Sequence, residues 1–345
     1  MKKIKILILA ILLMSCADQS RQSMTDTVET KPAKKVEEKN FIELGGEKQY
    51  VEITGDSDQN PVLLFIHGGP GWPQTPQLRY FNADLTKDFT VAAWDQRGAG
   101  RSFMENPAPA NVTLAQITAD AHELTAKLKE KFKQPKIYLA GYSWGSIVGV
   151  NLVEKYPEDY AAYIGIGQVV NMQRGMEISQ AWLAQKAKEK GDKETLEKLA
   201  KLKDPPADFC SGDLACFIRQ YELVMKYGGA VYNKEAESES LKATETYNDY
   251  KNYDWNKAFE FSANALEKDM FATDLRKVKE LKVPVYLFLG RHDWNVPSDL
   301  GEEFLNNLDA PKKELVWLEN SAHSPLEEEP KKFNKLLVEK VLKRQ

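Results

Sequence analysis

Histidine and cysteine are scarce in this chain of 345 residues, which contains four histidines and three cysteines. A zinc site at the closely spaced pair Cys210 and Cys216 is not expected, because no histidine lies near it in the sequence. We expect neither a metal ion nor a cofactor. An excess of positive charge is also absent, since the formal net charge is −4. A mildly acidic surface disfavours binding to a phosphate backbone, which argues against a nucleic-acid partner.

The apolar run at residues 6–14 is too short to span a bilayer, because a transmembrane helix needs about 20 residues. Lysines precede the run, so residues 1–15 are interpreted as a signal peptide. Residues 13–16, LMSC, resemble the bacterial lipobox, in which the cysteine, here Cys16, is lipidated; a simply cleaved signal is the alternative. Residues 16–39 are then a lipid anchor and a flexible polar tether. The sequence predicts an exported bacterial lipoprotein on the periplasmic side of a membrane or at the cell surface.

Cys210 and Cys216 are the two cysteines that remain if Cys16 is lipidated. An even remainder at close spacing in an exported chain predicts a disulfide bond. Such a bond is worth about 2–3 kcal/mol for so short a loop in the chain-entropy model. A pair of free thiols is the alternative.

The five residues 141–145, GYSWG, have glycine at both ends and Ser143 in the middle. They follow a short apolar run that is typical of a buried strand. They precede an apolar segment that is typical of a helix and stops at Pro157. A sharp turn between a strand and a helix is the context of a nucleophile elbow, in which the glycines let the backbone close around a strained serine. The pattern predicts that Oγ of Ser143 projects above a sheet.

Strand and helix patterns alternate along much of the chain. A hairpin is predicted around Gly45 and Gly46, and apolar strands precede the loops HGGPG and DQRGAGRS. A helix is predicted to begin after Thr113, with Gln116 three residues on. Two further strands, PVYLFLG and ELVWLE, lie near the C-terminus. This alternation predicts an α/β fold with a mostly parallel sheet and helices on both faces.

The strand pattern disappears in residues 167–280, which are mainly helical and charged. An insertion of this length is predicted to form a helical cap over the carboxyl edge of the sheet, where ligands bind in open α/β sheets. Residues 40–166 and 281–345 are then the two parts of the core. The aromatic residues of the cap either line the pocket or, as we prefer, form a small core of the cap itself: Tyr247, Tyr250, Tyr253 and Trp255.

A serine nucleophile needs a base, and the base needs a carboxylate that orients it. His323 lies in the polar loop NSAHSP after the last predicted strand and is the candidate base. Asp293, in the loop GRHDWNVP, is the candidate orienting residue. The chain order Ser143, Asp293, His323 is that of an α/β-hydrolase triad. The other histidines are interpreted as a solvated surface residue, a loop brace and part of a wall: His122, His67 and His292, respectively.

Two backbone N–H groups are expected to stabilise the oxyanion that develops during attack on a carbonyl. One belongs to Trp144, directly after the serine. The other comes from the HGGPG loop, where Gly69 is the first choice and Gly68 the alternative, because glycine lets the backbone approach a substrate closely.

Charged residues near the predicted site have two interpretations. For Asp95, Arg97 and Arg101, a buried brace between two loops is preferred over contact with substrate. The acidic run at residues 327–329 is interpreted as first-turn carboxylates favoured by the dipole of the last helix, rather than as catalytic groups.

Five motifs together resemble the prolyl aminopeptidase-like branch of the α/β hydrolases, also called proline iminopeptidases: HGGPG, WDQRGAGRS, GYSWG, GRHD and AHSP. The similarity covers about residues 41–166 and 281–345, with a cap of fitting size between them. Tyr142 and Ala322 stand where that family commonly has glycine. The resemblance implies an α/β-hydrolase fold, a serine mechanism and the triad named above.

The leading hypothesis is a serine hydrolase that works through an acyl-enzyme and releases N-terminal proline or a similar small residue from peptides. Its partners are then a small peptide or small acyl substrate and, through the lipid anchor, a membrane. Such a pocket must present a carboxylate to the cationic amine of the substrate. Candidates in the cap are Glu177, Glu222 and Glu235. The alternatives are an esterase or lactonase with the same machinery, and a non-catalytic binding lipoprotein that retains the fold.

Overall fold

A computed structural model of the protein describes residues 32–202 and 214–343. The predicted signal peptide, Cys16 with most of the tether, and Cys210 lie outside those residues, so what the sequence predicts for them stays a prediction. In the two described ranges, no helix combines the length and the apolar character needed to cross a bilayer.

The described strands form one sheet: β1 (Val36–Leu44), β2 (Glu47–Gly55), β3 (Val62–Ile66), β4 (Thr90–Asp95), β5 (Ile137–Tyr142), β6 (Tyr160–Ile166), β7 (Val285–Gly290) and β8 (Lys313–Leu318). Their order across the sheet is β1-β2-β4-β3-β5-β6-β7-β8. The strands from β4 to β8 in this order run parallel, and β2 is antiparallel to both of its neighbours. The mostly parallel sheet predicted from the sequence is therefore confirmed.

The hairpin of β1 and β2 opens the described fold. Gly45 and Gly46 join the two strands with φ of 54° and 75°, a region that glycine adopts without steric penalty, and the predicted turn is confirmed. The first strand begins earlier than expected, because Val36 pairs with Gly55 and is buried. Residues 36–39 thus belong to the sheet and not to the tether. Glu37, Glu38 and Lys39 are consecutive polar residues, so this part of the strand lacks the alternation of apolar and polar residues by which a strand is predicted.

The described helices fall into three groups along the chain. Before β6 lie α1 (Thr75–Phe81), α2 (Gly100–Glu105), α3 (Leu114–Phe132) and α4 (Trp144–Lys155). Between β6 and β7 lie α5 (Met172–Glu189), α6 (Lys193–Lys201), α7 (Leu214–Lys226), α8 (Lys234–Thr246) and α9 (Trp255–Ala272). We call these five helices and their connections the insert; they fall within the range predicted for the cap. After β7 come α10 (Ser298–Asn307), α11 (Pro325–Glu328) and α12 (Pro330–Leu337).

Apolar layers cover both faces of the sheet, because successive side chains of a strand point to opposite faces. In β3, Leu64 and Ile66 pack in a layer with residues of α3, α4 and α10. Leu63 and Phe65 pack in the opposite layer with residues of α1 and α12. Helices therefore lie on both faces, as predicted. The carboxyl ends of the parallel strands, and the loops that follow them, meet at one edge of this packed sheet.

The aromatic cluster of the insert joins the insert to the core. The hydroxyl of Tyr250 donates a hydrogen bond to Asp95 at the end of β4 (2.6 Å), and that of Tyr253 donates to the carbonyl of Gly71 (2.7 Å). Both tyrosines are buried. The interpretation of the cluster as a core of the cap alone is therefore wrong in part, because its hydroxyl groups reach the loops that follow β3 and β4.

Candidate active site

The turn between β5 and α4 places Ser143 at the carboxyl edge of the sheet. The strand ends at Tyr142 and the helix begins at Trp144, so the serine is the single residue between them. Its φ of 50° and ψ of −120° form a conformation that costs a non-glycine residue about 1–3 kcal/mol. The strand, turn and helix predicted for GYSWG are confirmed.

Close backbone contacts explain the glycines on either side of Ser143. A Cβ atom at Gly145 would lie 2.2 Å from the carbonyl oxygen of Ile66. A Cβ atom at Gly141 would lie 2.5 Å from the carbonyl oxygen of Gly145. Because both distances are far below a van der Waals contact, the spacing of glycines in this turn is a requirement of backbone packing.

Three side chains from three loops form one hydrogen-bonded chain. Oγ of Ser143 lies 2.9 Å from Nε2 of His323, and Nδ1 of His323 lies 2.7 Å from Oδ2 of Asp293. The other carboxylate oxygen of Asp293 accepts hydrogen bonds from the N–H groups of Asn295 and Val296. Asp293 follows β7 and His323 follows β8. The structure therefore brings together the three residues selected from the sequence.

Opposing effects set the pKa of His323. Burial lowers it, but the carboxylates of Asp293, Glu328 and Glu327 raise it, and the net pKa lies above the usual value of 6.5. A carboxylate beside an imidazole stabilises the protonated ring. This arrangement suits a general base that takes a proton from a serine hydroxyl.

The remaining histidines are held by other partners. The ring of His67 is buried, and its Nε2 accepts a hydrogen bond from the N–H of Gln96. His67 therefore braces two loops, as predicted. The ring of His292 stacks on Tyr232 of the insert, with the ring centroids 3.7 Å apart, but neither ring is among the described residues that line the cavity beside Ser143.

His122 is less solvated than predicted. Its ring stacks on Tyr156 with centroids 3.6 Å apart, and its Nε2 lies 3.0 Å from a carboxylate oxygen of Asp159. The side chain retains 34% of its exposure. The interpretation as a plain surface residue is therefore wrong in part, because its two partners lie on segments that follow α4 and not on its own helix.

A cavity of about 570 Å³ opens beside Ser143, with walls from both the core and the insert. Trp144, Gly69 and His323 line it together with the serine. Much of the remaining wall is apolar or aromatic and includes Trp72, Met172, Phe217, Tyr221 and Phe259. The cluster of Tyr247, Tyr250, Tyr253 and Trp255 is not among the described residues that line it.

The charged residues in the described lining of the cavity are all glutamates. Glu222 and Glu237 come from α7 and α8 of the insert, and Glu327 and Glu328 come from α11. A cleft lined by one sign of charge attracts ligands of the opposite sign. The side chains that give this wall its charge are acidic among the residues that the structure describes.

Glu327 is a buried carboxylate in the wall of the cavity. Its Oε1 accepts a hydrogen bond from Nε2 of Gln74 at 2.5 Å, and Ser240 of α8 hydrogen-bonds it as well. Burial raises the pKa of Glu327 to about 7. Since a nearby cation favours the ionised carboxylate, entry of a cationic group would lower this pKa and complete an ion pair.

Glu328 ties the loop of His323 to the insert. Its two oxygens accept hydrogen bonds from four backbone N–H groups, two flanking His323 and two leading into α8, which belong to Ala322, Ser324, Tyr232 and Asn233. The interpretation of residues 327–329 as carboxylates of the last helix is therefore wrong for Glu327 and Glu328. They lie in the separate short helix α11 and are buried.

The backbone of the insert also contacts both loops that carry the acid and the base. The carbonyl of Gly229 accepts hydrogen bonds from the N–H groups of Trp294 and Asn295, directly after Asp293. The carbonyl of Ala230 accepts one from the N–H of His323, at 3.1 Å. The loops that carry Asp293 and His323 are thus hydrogen-bonded to the insert.

One of the three cap carboxylates proposed from the sequence lies in the cavity. Glu222 lines it. Glu177 pairs with Arg174 at the surface, and Glu235 is exposed in the first turn of α8. No pattern in the sequence favoured Glu237, which is two positions further along the same helix.

The two residues proposed to bind an oxyanion, Gly69 and Trp144, lie in the cavity wall beside the serine. Trp144 is the first residue of α4, and the first N–H groups of a helix have no partner within the helix. Gly69 has φ of 102°, and at the alternative, Gly68, a Cβ atom would lie 3.0 Å from Cβ of Ser143. Both segments are therefore placed where the sequence predicts them.

The charged residues of the DQRGAGRS loop form a brace. Arg97 is buried and pairs with Asp120 of α3, with Nε 2.9 Å from Oδ2. Asp95 is also buried, and burial raises its pKa to about 6. The guanidinium of Arg101 lies over the ring of Tyr50. The three are not among the described residues that line the cavity. The preferred interpretation is confirmed for Asp95 and Arg97 and only in part for Arg101, whose side chain is 27% exposed.

Cys216 is buried in α7 and takes part in a disulfide bond. Cys210, its partner predicted from the sequence, lies outside the described residues, so the pairing itself stays a prediction.

The sheet order, the elbow and the chain of hydrogen bonds from Ser143 through His323 to Asp293 define the class of protein. A mostly parallel sheet of eight strands with this site at its carboxyl edge is the architecture of an α/β hydrolase. The family model described as serine aminopeptidase, S33, matches residues 62–330. The chain therefore belongs to the S33 serine aminopeptidase family and is a hydrolase, which confirms the resemblance found in its motifs.

Individual relatives agree with this assignment. The probable aminopeptidase YbaC of Bacillus subtilis (strain 168) is 31% identical over 296 residues, which are 85% of this chain and 92% of the relative. The solved structure of a proline iminopeptidase from Mycobacterium smegmatis has a TM-score of 0.65 at 16% identity, and a proline iminopeptidase-related protein from Thermus thermophilus has 0.61 at 20%. The alignments to these two solved structures each cover 89% of this chain and 98% of the solved chain. Both solved structures are similar in fold to this protein.

Proposed function

We propose that the protein is a serine aminopeptidase that releases N-terminal proline or a similar small residue from peptides. The observation that carries the proposal is the hydrogen-bonded chain of Ser143, His323 and Asp293, which opens onto a cavity whose described charged lining is entirely glutamate. The three hydrogen-bonded residues supply a nucleophile and a base, and the glutamates supply a counter-charge for a free amine.

The reaction has two halves. Oγ of Ser143 attacks the carbonyl carbon of the bond to be cleaved, while Nε2 of His323 takes the hydroxyl proton and Asp293 stabilises the resulting imidazolium. The N–H groups of Trp144 and Gly69 stabilise the oxyanion. His323 then gives the proton to the amine, which departs. The acyl group stays bound to Ser143 as an ester, the acyl-enzyme. Water, deprotonated by the same histidine, hydrolyses the ester in the second half.

The substrate amine requires a carboxylate because burying an unpaired cation is costly. Glu327 lies four residues after His323, on the core side of the cavity, whereas Glu222 and Glu237 approach from the insert. We assign amine recognition to this set of three. Glu328 is excluded from it because its oxygens already accept four backbone hydrogen bonds.

The test compares a cationic with a neutral substrate. The variants Glu222→Gln, Glu237→Gln and Glu327→Gln are assayed with a chromogenic proline amide and with a short neutral acyl ester. In at least one variant, we expect KM for the amide to rise about 30-fold or more, as for loss of one partner of a buried charge pair. At a pH above the raised pKa of His323, the ester should be hydrolysed within about twofold of the wild-type kcat/KM, because its transition state makes no use of the counter-charge.

Glu235→Gln is the matched control, since Glu235 lies on α8 near Glu237 but is exposed. It should leave both substrates unaffected. If none of the three cavity variants separates the two substrates, the aminopeptidase proposal is wrong and the esterase remains. The apolar part of the cavity wall, with Met172 and Phe217, favours that second candidate.

A further inference from the structure

Gln96 contacts two segments of the site through a single side chain. Its Nε2 donates a hydrogen bond to the carbonyl of His67 at 2.9 Å, and its Oε1 accepts one from the indole Nε1 of Trp144 at 3.1 Å. Its backbone N–H donates to Nε2 of His67 at 3.1 Å. Gln96 is 2% exposed, and it is not among the described residues that line the cavity. It therefore acts on its partners and not on the substrate.

The partners of Gln96 belong to the two segments that carry the proposed oxyanion donors. His67 is the first residue of the HGGPG loop, two positions before Gly69, and Trp144 directly follows Ser143. The two segments come from different strands, because the first follows β3 and the second follows β5. One amide side chain thus spans the gap between them.

The state of the His67 ring makes this link insensitive to pH near neutrality. Because Nε2 accepts the hydrogen bond from Gln96, the ring proton is on Nδ1, which donates to the carbonyl of Gly68 at 2.8 Å. Burial lowers the pKa of His67 to about 4. The neutral ring therefore keeps one nitrogen as an acceptor and one as a donor, and it extends the link from Gln96 to the backbone next to Gly69.

We propose that Gln96 is a positioning residue that fixes the separation of the two oxyanion donors, the N–H groups of Gly69 and Trp144. The proposal rests on the proposed serine mechanism. Such donors act only when each lies about 2.7–3.1 Å from the developing oxyanion. If their separation is wrong, the donors stabilise the transition state less, whereas binding of the neutral ground-state carbonyl is almost unchanged. The effect therefore falls on kcat and not on KM.

The chain offers a matched pair of variants for the test. Trp144→Phe removes the donor to Gln96 and retains an aromatic ring. Trp94→Phe removes an equivalent buried bond, because Nε1 of Trp94 donates to Oε1 of Gln49 at 3.1 Å. Both tryptophans and both glutamines are at most 2% exposed. Trp94 and Gln49 are not among the described residues that line the cavity, so the second variant reports the cost to stability alone.

We expect Trp144→Phe and Gln96→Met each to lower kcat about tenfold or more for both a proline amide and a neutral ester, with KM within about twofold. This is less than the factor of about 10²–10³ for removal of an oxyanion donor, because the donors are displaced and not deleted. The double variant should lose little more than either single variant. Trp94→Phe should lower the free energy of unfolding by about as much as Trp144→Phe does, while its kcat stays at the wild-type value.

The proposal is overturned if Trp144→Phe retains a kcat within twofold of that of Trp94→Phe, or if its effect falls on KM alone. Should Gln96→Met not fold, Trp144→Phe decides the matter, because it keeps the aromatic packing. Ser143→Ala separates this outcome from failure of the proposed function. If that variant is inactive while Trp144→Phe is fully active, the serine mechanism stands and the positioning role is wrong. If Ser143→Ala turns over, the serine mechanism itself is wrong.

Discussion

Arg97 and Asp120 form an ion pair in which both side chains are at most 2% exposed. Asp120 also accepts hydrogen bonds from Gln49 and Gln116, and Arg97 donates to the carbonyl of Ala110. The pair joins the loop after β4 to α3. Each charge neutralises the other, and Arg97 also supplies a hydrogen-bond donor to the backbone carbonyl of Ala110.

The first prediction is that Asp120→Ala lowers the free energy of unfolding by about 3–5 kcal/mol, because it leaves a buried guanidinium without its counter-charge. Urea denaturation measures this change. KM of the folded fraction should stay near the wild-type value, since neither partner is among the described residues in the cavity wall. Lys198→Gln, which breaks an exposed pair with Glu194, should change the free energy of unfolding far less, because exposed ion pairs contribute little to stability. Equal effects of the two variants would contradict the assignment.

The second prediction concerns backbone strain at Ser143. Ser143→Gly should be more stable than Ser143→Ala by about 1 kcal/mol or more, because only glycine adopts a φ of 50° with a ψ of −120° without strain. Both variants should be inactive. Thermal or urea unfolding of the two proteins side by side measures the difference, and a more stable alanine variant would show that the turn is relaxed.

The third prediction identifies the nucleophile. A fluorophosphonate probe should label the wild-type protein covalently and should not label Ser143→Ala. His323→Ala should be labelled far more slowly, since the hydroxyl then has no base. His122→Ala should be labelled at the wild-type rate, because its partners are Tyr156 and Asp159. Intact mass spectrometry reads out each result. Labelling of Ser143→Ala at the wild-type rate would place the nucleophile elsewhere.

The fourth prediction is a pH profile. His323 works as a base only when neutral, and its pKa lies above 6.5, so kcat/KM for a neutral ester should fall as the pH drops through that raised pKa. The raising groups that face the ring are Asp293, Glu328 and Glu327. Glu328→Gln removes one negative charge, so the acidic limb should move to lower pH.

The profile is best measured with a neutral ester, because Glu327, with a pKa of about 7, would titrate in the same range and alter binding of an amine substrate. Glu319→Gln is the control, since Glu319 pairs with Arg291 at the surface. Its profile should match that of the wild type. An acidic limb that stays in place or moves to higher pH in Glu328→Gln would exclude the charge of Glu328 as a determinant of the base.

The fifth prediction concerns the proposed anchor. The wild-type protein should incorporate radiolabelled palmitate when produced in bacteria and should fractionate with membranes. Cys16→Ser should incorporate none and should remain unprocessed or appear in the soluble fraction. An unmodified mature N-terminus at another residue, found by mass spectrometry of the wild type, would exclude lipidation at Cys16.

The parts of the fold and site that the sequence predicted are those that leave a local pattern. The elbow around Ser143 is a strand, a glycine-flanked turn and a helix in one stretch of the chain, and each leaves its own periodicity. Asp293 and His323 each follow an apolar run that became a strand, and parallel strands present their carboxyl ends at one edge. The positions of Ser143, Asp293 and His323 directly after predicted strands were therefore enough to predict that the three residues lie together.

The parts that the sequence did not predict depend on partners far along the chain. Asp120 of α3 is buried and pairs with Arg97, which follows β4, and nothing in the sequence around either residue indicates the pairing. Glu328 is hydrogen-bonded to a segment 95 or 96 residues away. Acidic residues in a first turn are common at the surface, so the EEE run carried no sign that two of its members are buried.

The hydrogen bonds from the insert to the loops of Asp293 and His323 limit how this enzyme can be recombined with its relatives. The carbonyls of Gly229 and Ala230 hold those loops, so an exchange of the whole insert would also exchange part of the support of the acid and the base. Breakpoints that leave residues 229–233 with the parental core should give active chimeras, whereas those that replace this segment should give folded but slow ones. Side chains of α7 and α8 also line the cavity, but they do not make the hydrogen bonds of Gly229 and Ala230 to the loops of Asp293 and His323. Substitutions there can therefore change specificity and leave the acid and the base in place.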